Sequence, residues 1–180
     1  QDSEAKKNLY IGAHNPVGTA PTETLAIGYN ALTNLSSGTR NFAVGKDAGF
    51  NIVNGDYNLY IGHSAGKTNQ SFSYNTAIGY QAQELFDGQQ STAVGYRAGR
   101  SATGTHTIFG YNAGTTISGG SAIFGYSAAA GSTTGTTTVV GQDSYRYVTS
   151  GSDNVAVGHQ VMWSNQADKT LDNNIGIGLG

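Results

Sequence analysis

Cysteine is absent from this chain of 180 residues, proline occurs twice, methionine and tryptophan once each, and only 11% of positions are charged. An average soluble domain is about 25% charged, so this is not the composition of an ordinary globule. The lack of cysteine leaves the redox compartment open, because a disulfide-free chain is allowed inside and outside the cell. With two prolines, the 27 glycines cannot belong to a collagen repeat. Nine Lys and Arg stand against eleven Asp and Glu, a formal charge of −2. That leaves no basic excess for phosphates or anionic lipid, which argues against nucleic-acid and membrane-surface partners. No apolar run exceeds a few residues, which excludes a transmembrane helix and membrane insertion by this segment. The first residue is Gln1, which fits a processed chain that has lost a secretory signal, or an excerpt of a longer one.

What the chain has instead is Gly, Thr, Ser, Asn and Tyr, residues that favour turns and strands over helices. They recur with a period. A small or apolar residue, then Ile, Val or Phe, then Gly occurs at Gly12, Gly28, Gly45, Gly62, Gly79, Gly95, Gly110, Gly125, Gly141, Gly158 and Gly178. The intervals are 16, 17, 17, 17, 16, 15, 15, 16, 17 and 20 residues, so eleven copies cover nearly the whole chain and leave no gap for a second domain. Residues 8–180 form one repeat domain, with 1–7 as an N-terminal cap or linker.

The residue before each Gly is large and apolar in every copy: Ile11, Ile27, Val44, Ile61, Ile78, Val94, Phe109, Phe124, Val140, Val157 and Ile177. This column is expected to be the core. Four residues before the Gly the chain usually has Asn, Thr or Ser, as in Asn41, Asn58, Asn75 and Ser91. Short polar side chains there can bond a backbone corner and, when stacked, one another. Three residues after the Gly comes mostly Ala, a second and narrower inward position. Between motifs lies another Gly-bearing turn, such as Ser36-Ser37-Gly38 or Val53-Asn54-Gly55.

Two short extended stretches per copy, each closed by a turn, is the plan of a β-solenoid. A helical repeat fails because no 3.6-residue periodicity is present and Gly interrupts every candidate segment. Leucine-rich and propeller repeats are longer, and the calcium-binding β-roll nonapeptide is missing. Stacked at a strand spacing of about 4.8 Å, eleven coils make a rod roughly 50 Å long. The position three before the Gly is also often apolar (Leu9, Leu25, Phe42, Leu59, Val155, Ile175). If left in water it would form a stripe of the kind that marks an interface, so self-association along the rod axis is expected. The alternative, both columns inside one coil of a monomer, stays open at this point.

The segments Asn75-Thr76-Ala77-Ile78-Gly79-Tyr80-Gln81-Ala82 and Ser91-Thr92-Ala93-Val94-Gly95-Tyr96-Arg97-Ala98-Gly99 resemble the YadA-like head repeats of trimeric autotransporter adhesins. They are closer still to the longer variants in phage tail fibres. The resemblance covers all eleven copies. It implies a left-handed parallel β-roll, one coil per repeat, assembled as a parallel homotrimer with the rolls side by side. The repeats here are longer than the adhesin type, and the last interval, through 163–169, suggests a protruding loop.

Catalysis has little support. The histidines His14, His63, His106 and His159 fall in different columns except His63 and His159, which lie six copies, roughly 28 Å, apart. That is too far to share a metal within one chain. The carboxylates show no recurring pair, no Ser has a partnered His, and no Gly-Lys-Ser/Thr phosphate loop occurs. No enzyme activity, cofactor or metal is expected. The column after the Gly offers a candidate surface-binding ladder, Tyr29, Tyr80, Tyr96, Tyr111 and Tyr126, since Tyr combines rigid area with a polar tip. The competing reading is that these rings stack on neighbouring coils or pack at the trimer seam. Thr105 with Thr107 and Thr136 with Thr138 have the alternate spacing of a flat ice-binding face, in two separated copies only.

The expectation is a non-enzymatic, extracellular, cell-surface or virion-surface fibre segment. Its partners are other copies of itself, side by side as a homotrimer and in the extreme end to end, together with a surface receptor, glycan or matrix protein. The alternatives are a phage tail-fibre receptor-binding segment and an ice-binding or other flat-face solenoid.

Overall fold

A computed structural model describes residues 7–12, 21–68, 71–133, 135–163 and 170–180. Most of the expected N-terminal cap, His14 and most of the expected loop at 163–169 lie outside the described residues. The chain is all-β, and no helix occurs among the described residues. Eleven strands, one per repeat, form a single parallel sheet in strict sequence order from β1 (Leu9–Ile11) to β11 (Ile175–Leu179). Equivalent motif positions face one another at every step: Ala26 pairs with Ala43 and Ile27 with Val44, and later Ile123 with Val139 and Phe124 with Val140. This is a β-solenoid. The second extended stretch of each coil is reduced to isolated parallel bridges, such as Asp87 with Thr103 and Thr103 with Ser118.

The expected core column is not the core. Ile11, Phe109, Phe124, Val140 and Ile177 are exposed, and Ile27, Val44, Ile61, Ile78, Val94 and Val157 are half-buried, all on the outer face of the sheet. Strand geometry supplies the reason. Successive side chains alternate between faces, so positions four and two before the Gly share one side and positions three and one share the other. The inward side is the one that carries the polar column and the small residues: Ala26, Ala43, Ala77, Ala93 and Ala156 are fully buried beside Asn41, Asn58 and Asn75. A narrow coil has no room for a bulky residue at every inward position, so the column before the Gly stands outside, and the inward strand position is bulky only in some coils, as at Tyr60, Ile108, Ile123 and Val139.

The interior is completed by the Ala column three after the Gly (Ala31, Ala48, Ala65, Ala82, Ala98, Ala113, Ala128), buried as expected, and by a column seven after the Gly. The latter includes Leu35, Ile52, Phe86, Ile117 and Val148, all buried. Volume is exchanged between columns from coil to coil. Where the strand contributes the fully buried Tyr60, position four after the Gly is Gly49 in one coil and Gly66 in the next. A Cβ built on Gly66 would lie 2.1 Å from Tyr60 Cε1. Where the strand contributes only Ala26, that same position is the buried Leu32. A bulky residue in one column is thereby matched by a small one in another, as the close packing of protein interiors requires.

The polar column is a continuous buried staple. The Asn41 side-chain oxygen accepts from the Asn58 backbone N–H at 3.1 Å, Asn58 from Asn75 at 3.0 Å, Asn75 from Ser91 at 3.1 Å, and Ser91 Oγ from His106 at 2.9 Å. The amide ends reach across to the second turn, Asn41 Nδ2 donating to the Gly55 carbonyl at 2.7 Å and Asn58 Nδ2 to the Phe72 carbonyl at 3.0 Å. Each residue therefore satisfies backbone groups on the strand of one coil and the turn of another, groups that would otherwise be buried without partners.

Candidate binding surface

The tyrosines of the expected ladder sit at the first turn position after the motif Gly, where the chain leaves the sheet. In consecutive coils they stack. His63 meets Tyr80 at 5.3 Å between ring centroids, Tyr80 meets Tyr96 at 5.2 Å, Tyr96 meets Tyr111 at 4.8 Å and Tyr111 meets Tyr126 at 5.1 Å, with interplanar angles of 15° or less. The coil spacing produces this, because side chains at equivalent positions of adjacent parallel strands stand about 4.8 Å apart, close to ring-stacking distance. Four of the five tyrosines are thus brought together, with His63 extending the row. Tyr29 stands apart, with Lys46 occupying the column in the coil between it and His63.

The rings turn their faces to one another. What the ladder offers outward is a row of ring edges and hydroxyls, and the faces are spent on coil-to-coil stacking, worth about 0.5–1.5 kcal/mol per pair beyond burial. The ladder is therefore first a device that holds coils in register. One cation joins it: the Arg97 guanidinium lies 5.1 Å from the Tyr96 ring centroid.

A larger surface feature is the outer sheet face. Columns three and one before the Gly lie side by side along it, including Leu9, Ile11, Phe42, Phe109, Phe124, Ile175 and Ile177, all exposed. Phe109 and Phe124 stack at 5.4 Å. Ten strand spacings give a strip about 48 Å long, roughly 10 Å wide toward its ends and about half that in the middle, where one column is Thr76, Thr92, Thr107, Ala122 and Thr138. An apolar patch of a few hundred Å² is of the size that marks interaction surfaces. The threonines singled out above fall on the same side: Thr107 and Thr138 pair through Ala122 of the intervening strand. Gly120 and Ala122 thus interrupt any regular threonine array.

Of the histidines, His106 has the most unusual setting. It occupies the staple column, buried, and its Nε2 donates to the Thr103 carbonyl at 2.9 Å. Nδ1 has no hydrogen-bond partner, and the ring meets Phe86 edge-on at 6.4 Å. Burial pushes its pKa below the usual value, opposed in part by the bond to Thr103. The folded chain therefore resists a proton that the unfolded chain accepts. Stability is expected to be unaffected above about pH 7 and to fall as the pH drops through the unfolded value near 6.5, by at most about 1.4 kcal/mol per pH unit. Comparing urea midpoints at pH 7.5 and 5.5 tests this. The difference should shrink in His106→Asn, which restores the residue found at Asn58 and Asn75 and does not titrate.

Among the described residues, no group of three or more His, Asp or Glu is arranged to hold a metal ion. No helix among those residues is long and apolar enough to cross a membrane. What fold and surface define is a parallel β-solenoid with an apolar sheet face and an aromatic ladder. No family model, curated protein or solved structure matches the chain.

Proposed function

We propose that this chain is a non-enzymatic fibre segment of an extracellular, cell-surface or virion-surface structure, in which copies pack side by side through their outer sheet faces and present a binding surface to a cell or matrix. The observation that carries the proposal is the apolar column along the sheet, one residue before each motif Gly from Ile11 to Ile177, widened by Leu9, Leu25, Phe42 and Leu59 at one end and by Val155 and Ile175 at the other. A rod with a single apolar face has one economical way to cover it over its whole length, which is another rod of the same pitch. A parallel homotrimer, the assembly implied by the resemblance to adhesin head repeats, brings three such faces together around one axis.

The test is the solution mass by light scattering. The expected mass is three times the 18.6 kDa of one chain. The double variant Phe109→Glu with Phe124→Lys places opposite charges on two stacked neighbours in the middle of the strip. It is expected to reduce the mass to one chain while the circular dichroism spectrum stays that of the parent. A monomeric parent chain, or a variant that keeps the parent mass, overturns the proposal.

A further inference from the structure

A groove opens on the surface beyond the motif glycines, on residues that follow the strand and lie outside the apolar sheet face. It has a volume of about 350 Å³. Its shape follows from one column of the repeat. Five residues after the Gly, four successive coils carry Arg100, Thr115, Ala130 and Arg146. Two long cationic side chains stand three coils, about 14 Å, apart, with short side chains between them. Next to this column run Arg97, Asn112 and Ser127, two residues after the Gly. At the Arg146 end the wall is Tyr147, whose ring lies over Gly131: a Cβ built on that glycine would be 2.8 Å from Tyr147 Cδ1.

The charges do not cancel. Arg100 Nε is held by Glu84 at 2.7 Å and Arg146 Nη1 by Asp143 at 2.9 Å, each carboxylate largely buried behind its arginine. Arg97 has no carboxylate. Its Nε donates to the neutral Gln81 Oε1 at 2.9 Å and its guanidinium carbon lies 5.1 Å from the Tyr96 ring centroid. Three guanidiniums therefore face two carboxylates, and the groove is cationic on a chain whose formal charge is −2. The groove's own hydrogen bonding is also incomplete: Asn112 Oδ1, an acceptor, and Arg146 Nε, a donor, both lack partners.

We infer that this groove binds an acidic saccharide, a sugar bearing a carboxylate. The guanidinium fork matches a planar carboxylate, and the unpaired charge of Arg97 supplies the attraction. The hydroxyls of Thr115, Thr116 and Ser127 and the amide of Asn112 are partners for sugar hydroxyls, which donate and accept from the same atom. Tyr147 gives one aromatic wall. A peptide is the poorer match, because the floor has no apolar pockets for side chains and no free strand edge to extend. The inference deepens the proposed role as a binding fibre, naming the chemistry of what is bound.

The experiment is calorimetric titration of the full chain with trigalacturonic acid, with its neutral trimethyl ester, and with an acidic peptide of the same charge. The acid is expected to bind at least tenfold more tightly than the ester and the peptide. Arg97→Gln, which removes the unpaired charge without stranding a buried carboxylate, is expected to weaken the acid tenfold or more. Thr116→Trp, which fills the groove, should do the same. Equal binding of acid and ester, indifference to Arg97→Gln, or no binding of the acid overturns the inference. Tighter binding of the peptide overturns the saccharide class. Neither variant touches the sheet face, so light scattering reports on assembly separately. A monomer that still binds the acid would sink the side-by-side fibre and leave the groove.

Discussion

Replacing Gly110 with alanine is expected to cost several kcal/mol, a large effect for a single methyl group. Gly110 has a φ of 145°, a conformation that L side chains rarely adopt, and a Cβ there would sit 2.1 Å from the Gly125 carbonyl oxygen in the next coil. The obstacle is backbone, so no rotamer change relieves it; the two coils must separate or the strand must slip. Backbone strain of about 1–3 kcal/mol adds to an overpacking cost of about 1–3 kcal/mol. For a domain of this size that corresponds to a fall in Tm on the order of 10 °C. Gly120→Ala is the matched control: its φ is not in the left-handed region, and the nearest atom to a new Cβ is 3.7 Å away. Thermal unfolding of the two variants side by side should show a large loss at Gly110 and almost none at Gly120. Equal effects would mean that the close approach of consecutive motif glycines is not what holds the coils at their spacing.

The second large effect is expected at Asn58. Its side chain accepts from the Asn75 backbone N–H at 3.0 Å, donates to the Phe72 carbonyl at 3.0 Å and donates to Asn41 Oδ1 at 3.0 Å, all in the interior. Asn58→Leu removes all three and strands two backbone groups at once, the Asn75 N–H and the Phe72 carbonyl, while Asn41 Oδ1 keeps the Asn58 backbone N–H. At about 1–3 kcal/mol for each buried polar group left unpaired, a loss of about 3 kcal/mol or more is expected. The apolar gain of leucine cannot offset it, because the site is lined by carbonyls and amides. Urea unfolding measures the loss. Asn58→Ser should be milder, since Ser91 occupies the same column and still reaches both its strand and turn partners. A leucine variant as stable as the parent would show that the staple adds nothing beyond the sheet hydrogen bonds.

Much of this architecture was legible before any coordinates. The Gly spacing implied one coil per repeat, the polar column implied a stacked hydrogen-bond ladder, and the Ala column implied a narrow inward position; the structure has all three, although of the two extended stretches expected per coil only one forms a strand. The bulky column faces the other way from what its size suggests, because strand parity sets the direction. Asn58 and Ile61 lie three residues apart on one strand, an odd number, so a buried asparagine places the isoleucine outside. The signal is present, but acting on it requires accepting that the strand of one coil can bury Ala77 and leave its neighbour Ile78 outside. The column of Leu35, Ile52, Phe86, Ile117 and Val148 escaped notice because its identity changes with each coil to complement the strand. Tyr60 with Gly66 is legible only as a pair. The arginine groove is legible only in part. Arg100 and Arg146 share the column five after the Gly, but a groove forms only when the short Thr115 and Ala130 are stacked between them, so neither arginine announces it alone.

The irregular intervals carry a consequence of another kind. Copies of 15, 16 and 17 residues pair with one another in unbroken register, as Ala93 with Ile108 and Ala43 with Tyr60, so the extra residues are absorbed in the second turn. Each strand meets only the strands before and after it. A whole coil gained or lost therefore disturbs nothing but its own two interfaces, and changes the rod by one increment of about 4.8 Å. Such a chain works as a ruler. Its reach is written in the number of motif glycines, and gene segments of slightly unequal length all count as one graduation.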